Sequence, residues 1–359
     1  MRPRQSFIEK ERIFRYKKEK MKEKQMEKML NCPFFGKCGG CAFEDLRETY
    51  TQKKENALKE ALAHKAIDIT PDPLIRIPKE SRRRATFAFA NGHFGFNEMQ
   101  SHRIVDISSC AVLTPQLSAF ISPLRTFMKN FKTKGDVFVL MTEFGADIKI
   151  DENKKTPTSL DLLEKISAFC QENTLARFVL NNEPIYQATQ LPFPTGAFMQ
   201  PSLEGEKALQ KLVLESVGDG SKVVDLFCGL GTFTKPLAAT GKKTEGYDSA
   251  SDSIETLKKS GIQAFSRDLF RNPLTPEELN RFDVAVLDPA RAGAFEQCEM
   301  LAQSDISKIV MVSCHIGTFC RDARILINAG FKLEKLTPVD QFVASRHLEV
   351  VAVFCKNFT

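Results

Sequence analysis

The sequence predicts an α/β protein in which a doubly wound, mainly parallel sheet follows a smaller β-rich domain. From residue 191 to residue 359, short apolar segments alternate with helical stretches, a pattern that builds parallel sheets with helices on both faces. Between residues 73 and 190, a two-residue alternation with hairpin signals dominates instead. Residues 32–72 form a small cysteine-containing segment that includes one helix.

Composition and charge limit the class of protein. The chain has 359 residues, 42% of them hydrophobic, which is enough for two or three cores. No apolar run approaches the roughly 18 residues that a membrane span needs. The charged N-terminus also lacks the apolar stretch of a signal peptide. We therefore expect a cytoplasmic, monomeric protein without membrane contact, in which disulfides are disfavoured.

The positive charge is concentrated in residues 1–31, which form a basic tail. Residues 1–30 hold 11 Lys and Arg against 5 Asp and Glu, whereas the rest of the chain holds 40 of each. Lysines near phosphates release counterions, so a polyanion-binding arm is one interpretation. A solvated helix is the other, and the sequence does not decide between them.

Secondary structure in the N-terminal half follows from periodicity. Residues 44–64 place apolar side chains on one helical face. Asn91-Gly92 lies between two alternating runs in residues 85–96, which is the strongest short hairpin signal because both turn residues need positive φ. Further hairpins are expected at residues 136–150 and 177–189, with a helix at residues 160–173 between them.

A glycine loop opens the C-terminal domain. In VVDLFCGLGTF, Gly229 and Gly231 follow an apolar strand, and Asp248 ends the next strand. Such a loop with a strand-end acid can bind a nucleoside, but the third glycine of a dinucleotide fingerprint is missing. The pattern favours a ligand without pyrophosphate, such as S-adenosylmethionine. Turn chemistry and helix capping remain the alternative.

Three reactive side chains are expected at neighbouring strand ends. Asp288 ends the strand in AVLDPARAG, Cys314 ends the strand in KIVMVSC, and Glu349 lies in the last strand. Ligands of doubly wound sheets bind at this edge. A free cysteine is often only a small buried hydrophobe, so Cys314 is either a packing residue or a nucleophile.

These motifs together resemble the RNA uracil-5-methyltransferase family, in particular its iron–sulfur-containing 23S rRNA branch. The resemblance covers residues 32–359 and is carried by DLFCGLGTF, DPARAG, SCHIGTFCRDARIL and DQFVASRHLEVV. It implies a Rossmann-like class I methyltransferase domain at residues 191–359 and an RNA-binding middle domain at residues 73–190. His315 and Thr232 stand where the family usually has asparagine, and DPARAG replaces a double proline.

The resemblance also implies roles for individual residues. Cys314 matches the nucleophile, Glu349 the general base, and Asp288 an acid that faces the target base and the cofactor. The remaining matches to S-adenosylmethionine-binding positions are Gln200, Phe227, Gly229, Gly231, Thr232, Asp248 and Asp268. His315 is expected only to form local hydrogen bonds.

The chemistry explains why a cysteine would stand at a strand end. Carbon 5 of uracil is too weak a nucleophile to take a methyl group directly, but a thiolate that adds at carbon 6 makes carbon 5 carbanion-like. A base such as Glu349 must then remove the carbon-5 proton before the thiolate leaves. The alternatives are a tRNA enzyme of the same class and a non-catalytic RNA-binding assembly factor.

Four cysteines form a candidate metal site. Cys32, Cys38 and Cys41 have the spacing C-x5-C-x2-C, and Cys110 follows the first hairpin. Three-plus-one spacing is commoner for iron–sulfur clusters than for zinc, and the resemblance implies a [4Fe-4S] cluster. Zinc and plain packing remain open.

RNA contacts are expected before the first hairpin. Arg76, Lys79 and Arg82 to Arg84 precede an aromatic strand pair, and basic groups bind phosphates while exposed aromatics can stack bases. The phenylalanines could equally face a core, since alternate side chains of a strand point to one side.

Overall fold

The computed structural model describes residues 29–155 and 158–356, which form two sheets. Almost all of the predicted basic tail lies outside the described residues. The strands of these residues are β1 (Ile75–Arg76), β2 (Arg84–Ala90), β3 (His93–Asn97), β4 (Ile104–Asp106), β5 (Gly135–Thr142), β6 (Gly145–Glu152), β7 (Leu175–Leu180), β8 (Glu183–Gln187), β9 (Lys222–Leu226), β10 (Lys243–Asp248), β11 (Gln263–Ser266), β12 (Val284–Leu287), β13 (Lys308–Ser313), β14 (Lys332–Asp340) and β15 (Glu349–Cys355).

Helices pack on both sheets. Those described are α1 (Glu48–His64), α2 (Pro115–Phe127), α3 (Leu160–Glu172), α4 (Leu203–Val217), α5 (Thr234–Ala239), α6 (Ser251–Lys259), α7 (Pro276–Leu279), α8 (Phe295–Ala302) and α9 (Ile316–Asn328). Helix α2 was not predicted from the sequence. Within the part of the chain that the structure describes, no helix is both long and apolar enough to cross a bilayer.

The larger sheet has the strand order β1-β14-β15-β13-β12-β9-β10-β11. Strands β9 to β13 are parallel to one another, and β15 is antiparallel to both of its neighbours, β13 and β14. Nearly every residue of β9, β12, β13 and β15 is buried. The predicted doubly wound α/β sheet is thus confirmed, and its parallel strands bring their carboxyl ends to one edge.

The smaller sheet has the order β4-β3-β2-β5-β6-β7-β8 and carries the predicted hairpins. Asn91 and Gly92 have φ of 51° and 79°, as the turn between β2 and β3 requires. Phe87, Phe89 and Phe94 are at most 3% exposed. These three side chains therefore belong to the core of the β-rich domain and are not exposed for stacking on RNA bases.

The start of the β-rich domain along the chain differs from the expected residue 73. Residues 73–190 were assigned to the middle domain, yet β1 pairs with β14 of the larger sheet. Helix α1 also packs Leu58 and Leu62 into the core of the larger sheet. A two-residue strand has no periodicity of its own, so the sequence could not reveal this pairing.

Candidate active site

Cys314 lies directly after β13, at the start of the turn that leads into α9. Its side chain is half-buried. Burial and the negative charges of Glu349 and Asp288 raise the pKa of the Cys314 thiol, while Arg291 opposes this effect. The three residues predicted from strand ends therefore meet at one place.

His315 has a local role, as expected. Its Nδ1 accepts a hydrogen bond from the Thr318 backbone N–H at 3.2 Å, so it caps the first turn of α9. The cap fixes the backbone immediately beyond Cys314.

Asp288 and Glu349 are buried together at the carboxyl edge. Glu349 is 4% exposed, and its Oε2 atom has no hydrogen-bond partner among the described residues. Burial and then the charge of Asp288 raise the pKa of Glu349, and burial raises the pKa of Asp288. At neutral pH this pair holds a proton more readily than ordinary carboxylates do.

Two glutamines connect these carboxylates. Gln200 Nε2 donates to Asp288 Oδ2 at 3.2 Å, and Gln341 Nε2 donates to Gln200 Oε1 at 2.9 Å. Gln341 also lies beside Glu349, where its amide favours the charged form. Gln200 was predicted, but Gln341 was not assigned a role, although it lies in the quoted motif DQFVASRHLEVV.

The glycine loop has the backbone that a close ligand approach needs. Gly229 and Gly231 have φ of 52° and 82°, and Phe227 has φ of 64°. A Cβ atom at Gly229 would meet nothing within 4 Å, so this part of the loop faces open space. The backbone N–H of Gly229 donates to Asp248 Oδ2 at 2.9 Å, which joins the loop to the end of β10.

The other predicted cofactor residues are spread around this loop. Gly231 and Thr232 line a cavity of about 730 Å³ between the larger sheet and the β5–β6 hairpin. Asp268 accepts a hydrogen bond from the Phe270 backbone N–H at 3.1 Å, so its carboxylate is used in a local turn. The ring of Phe270 lies 5.2 Å from that of Phe227.

Asp225 is a buried acid that the sequence analysis missed. It is fully buried in β9 and accepts a hydrogen bond from Thr234 Oγ1 at 2.5 Å. Burial, together with the charges of Asp288 and Asp248, raises its pKa to about 7. An aspartate inside the apolar run VVDLF was the available signal, because charged side chains are seldom buried without a partner.

A buried network holds the loop that leads to Glu349. Lys54 Nζ pairs with Asp340 Oδ1 and donates to the His347 carbonyl at 2.7 Å. Tyr50 Oη donates to Asp340 Oδ2 at 2.5 Å and accepts from the Ala344 backbone N–H at 3.0 Å. Two residues one turn apart on α1 thus hold residues 341–348 against that helix.

The four predicted metal ligands lie around one cavity. Cys32, Cys38, Cys41 and Cys110 all line one cavity of about 370 Å³. Burial and the neighbouring thiols raise the pKa of Cys41 to about 12. Among the described residues, however, no group of three or more His, Cys, Asp or Glu side chains is arranged to hold a metal ion. The [4Fe-4S] cluster therefore stays a prediction.

Three of the basic residues expected at the RNA contact other parts of this chain. Arg83 pairs with Glu206 at 2.6 Å, and Arg76 donates to the Leu46 carbonyl at 2.7 Å. Arg84 lies over the ring of Phe198 at 4.2 Å and next to the charge of Glu349. Arg83 and Arg84 thus link the β-rich domain to residues 198–206, a role that their spacing did not reveal.

Comparison with known proteins places this geometry in a family. A family model described as methionine biosynthesis protein MetW matches residues 207–327, within the larger-sheet domain. An uncharacterized RNA methyltransferase of Caulobacter vibrioides is 36% identical over 90% of this chain and 85% of its own length. The 23S rRNA (uracil(1939)-C(5))-methyltransferase RlmD of Shewanella amazonensis is 30% identical over 90% of this chain and 81% of its own length.

A solved structure has the same fold over most of the chain. The Pyrococcus abyssi tRNA (uracil-54, C5)-methyltransferase, solved with S-adenosyl-L-homocysteine, matches with a TM-score of 0.67 at 21% identity. The match covers 89% of this chain and 86% of that one. With relatives of this identity over nine-tenths of its length, the chain is an enzyme of the RNA uracil methyltransferase family.

Proposed function

We propose that this protein transfers a methyl group from S-adenosylmethionine to carbon 5 of a uridine in 23S rRNA, through a covalent adduct between Cys314 and carbon 6. The observation that carries the proposal is the meeting of a half-buried thiol with two buried carboxylates, Asp288 and Glu349, at the carboxyl edge of the sheet. A nucleophile and a base within reach of one substrate atom are what this reaction requires.

The residues at this edge fit a cationic cofactor. Asp225 Oδ1 and Glu349 Oε2 are buried without a hydrogen-bond partner in the described part of the chain. A cluster of acids with this little compensation favours a ligand that carries positive charge. Gln200, Asp248 and the glycine loop would hold S-adenosylmethionine, which supplies the electrophilic methyl group when bound.

In the proposed reaction, the Cys314 thiolate adds to carbon 6 of the uracil and carbon 5 takes the methyl group. Glu349 then accepts the carbon-5 proton, and the thiolate leaves as the carbon 5–carbon 6 double bond forms again. The raised pKa of Glu349 suits it to this proton transfer near neutral pH. Asp288, held by Gln200, would bind the polar edge of the uracil.

Two features support rRNA over tRNA as the substrate. The RlmD relative is described as acting on 23S rRNA, and the four cysteines line one cavity in the positions that the resemblance links to the rRNA branch. We propose that these cysteines hold a [4Fe-4S] cluster, whose metal charge would offset four clustered thiolates. Cys32, Cys38 and Cys41 would hold it from the N-terminal segment and Cys110 from the β-rich domain, so it would act as a structural element.

Methyl transfer from labelled cofactor tests the reaction and the substrate together. Unmodified 23S rRNA should gain 5-methyluridine at one site, and tRNA should gain none. Label in tRNA alone would show that the substrate is tRNA and not rRNA. No label in any RNA would favour the non-catalytic RNA-binding alternative.

Iron and sulfide analysis of anaerobically purified protein tests the cluster. The wild-type protein should carry both elements, and Cys38→Ser should lose them, whereas Cys170→Ser in the buried core of the β-rich domain should retain them. Zinc without iron in the wild-type protein would contradict the cluster.

A further inference from the structure

An open cleft of about 780 Å³ leads from the surface to Cys314. One wall consists of residues 39–42 of the cysteine-containing segment, and another contains Met99 and Gln100 from the turn between β3 and β4. The floor holds Cys314 and the first residues of α9. Met99 is 56% exposed, so one wall of the cleft carries an exposed apolar side chain.

Among the described residues that line this cleft, the ionisable side chains other than the two cysteines are basic: Arg291, His315, Arg346 and His347. Arg291 and Arg346 are exposed, and neither guanidinium forms a hydrogen bond or ion pair within residues 29–155 and 158–356. Burial, followed by the positive charges of Arg291, Lys54 and His315, lowers the pKa of His347. Arg291 and Arg346 thus line the cleft as exposed cations, while the carboxylates of Asp288 and Glu349 lie near Cys314 and outside the cleft lining.

The fold places the two arginines on opposite sides of the nucleophile. Arg291 follows β12 and Arg346 precedes β15, and these two strands flank β13, which ends at Cys314. Both backbones are fixed nearby. Thr318 Oγ1 donates to the Arg291 carbonyl at 3.2 Å, and Lys54 Nζ donates to the carbonyl of His347, the neighbour of Arg346. Arg291 and Arg346 are thus attached to backbone segments that hydrogen bonds hold in place.

We propose that Arg291 and Arg346 bind the two backbone phosphates that flank the target uridine, one on each side of Cys314. This inference rests on the proposed function, because a uracil must leave its stack to reach the half-buried thiol. An unstacked nucleotide carries one phosphate on its 5′ side and one on its 3′ side. Arginine on a phosphate is a charge-assisted contact that positions the backbone without reading sequence.

The salt dependence of RNA binding tests the phosphate contacts directly. Unmodified 23S rRNA transcript is titrated with the wild-type protein, Arg291→Ala and Arg346→Ala at a series of KCl concentrations. Each variant should bind about tenfold more weakly at low salt, and its slope of log affinity against log salt should fall by about 0.7. Arg346→Lys should keep the wild-type slope, because the slope counts charges and not hydrogen-bond geometry.

A matched control removes a cation elsewhere on the same domain. Lys259 is exposed at the end of α6, and Lys259→Ala should change neither affinity nor slope. Wild-type slopes in both arginine variants, with melting temperatures unchanged, would overturn the inference. Methyl transfer by the wild-type protein to the same transcript is measured in parallel, so a failed phosphate assignment can be distinguished from a failed reaction.

Discussion

Two buried carboxylates, Asp340 and Glu349, bracket the loop of residues 341–348 and have opposite surroundings. Asp340 is 1% exposed and is bonded to both Lys54 and Tyr50. Glu349 is 4% exposed, lies beside the like charge of Asp288, and leaves one oxygen without a partner in the described chain. Burying a carboxylate is costly unless it is paired. The difference fits a structural role for Asp340 and the base role proposed for Glu349, whose charge Gln341 and Arg84 compensate only in part.

The largest effect is expected at Glu349. Glu349→Gln should slow release of methylated RNA by about 10²- to 10⁴-fold, since a positioned base contributes that much, and a covalent complex with normal RNA should accumulate. The free energy of unfolding should not fall, because the amide removes a buried like-charge contact. Single-turnover kinetics and urea unfolding measure the two quantities. Fast release of methylated RNA by Glu349→Gln would contradict the base role. A loss of stability as large as that of a broken ion pair would show that Glu349, like Asp340, serves the fold.

The next effect is a loss of stability, which is expected when Asp340 loses its cation. Lys54→Met leaves Asp340 buried without its cation and should lower the free energy of unfolding by about 3–5 kcal/mol. Lys59→Met deletes an exposed charge on the same helix and should change it by less than about 0.5 kcal/mol. Urea titration of both variants measures the difference. Equal stability of the two variants would mean that the Lys54–Asp340 pair does not hold the loop.

The smallest effect is a shift in pH dependence. Burial and then the charge of Asp288 raise the pKa of Glu349, so Asp288→Asn should lower that pKa in part, and Glu349 should stay ionised to lower pH. In the proposed reaction, release of methylated RNA needs ionised Glu349, so the acid limb of release should move to lower pH, even though the variant is slower overall. An acid limb that stays in place would show that Asp288 does not act on Glu349 through its charge. Asp283→Asn, at a distant surface carboxylate, is the control.

Local chemistry made part of this molecule predictable. Asn91-Gly92 could be identified as a turn because two adjacent positive φ angles need those residue types. The strand ends at Asp288 and Cys314 could be identified because apolar runs stop there, and parallel strands then bring them to one edge. Tyr50 and Lys54 contact residues about 290 positions away, a pairing that no local pattern contains.

Other features needed the tertiary structure for a different reason. Gln341 resembles any polar residue in sequence, and its place between Gln200 and Glu349 depends on how β14 turns back into β15. Arg83 was expected at phosphates, yet its partner Glu206 lies on α4, beyond the β-rich domain. Charge can be read from the sequence, but the partner of each charge is set by the packing of distant elements.

The covalent step at Cys314 is the central claim, and RNA that contains 5-fluorouridine tests it most directly. Fluorine cannot leave carbon 5 as a proton, so the adduct should persist under denaturing conditions after methyl transfer from S-adenosylmethionine. Mass spectrometry of the digested complex should find the nucleotide on Cys314. Cys355→Ala, which removes another half-buried thiol, should form the same adduct, and Cys314→Ala should form none. An adduct that persists in Cys314→Ala, or methylated product without any adduct in the wild-type protein, would contradict the account.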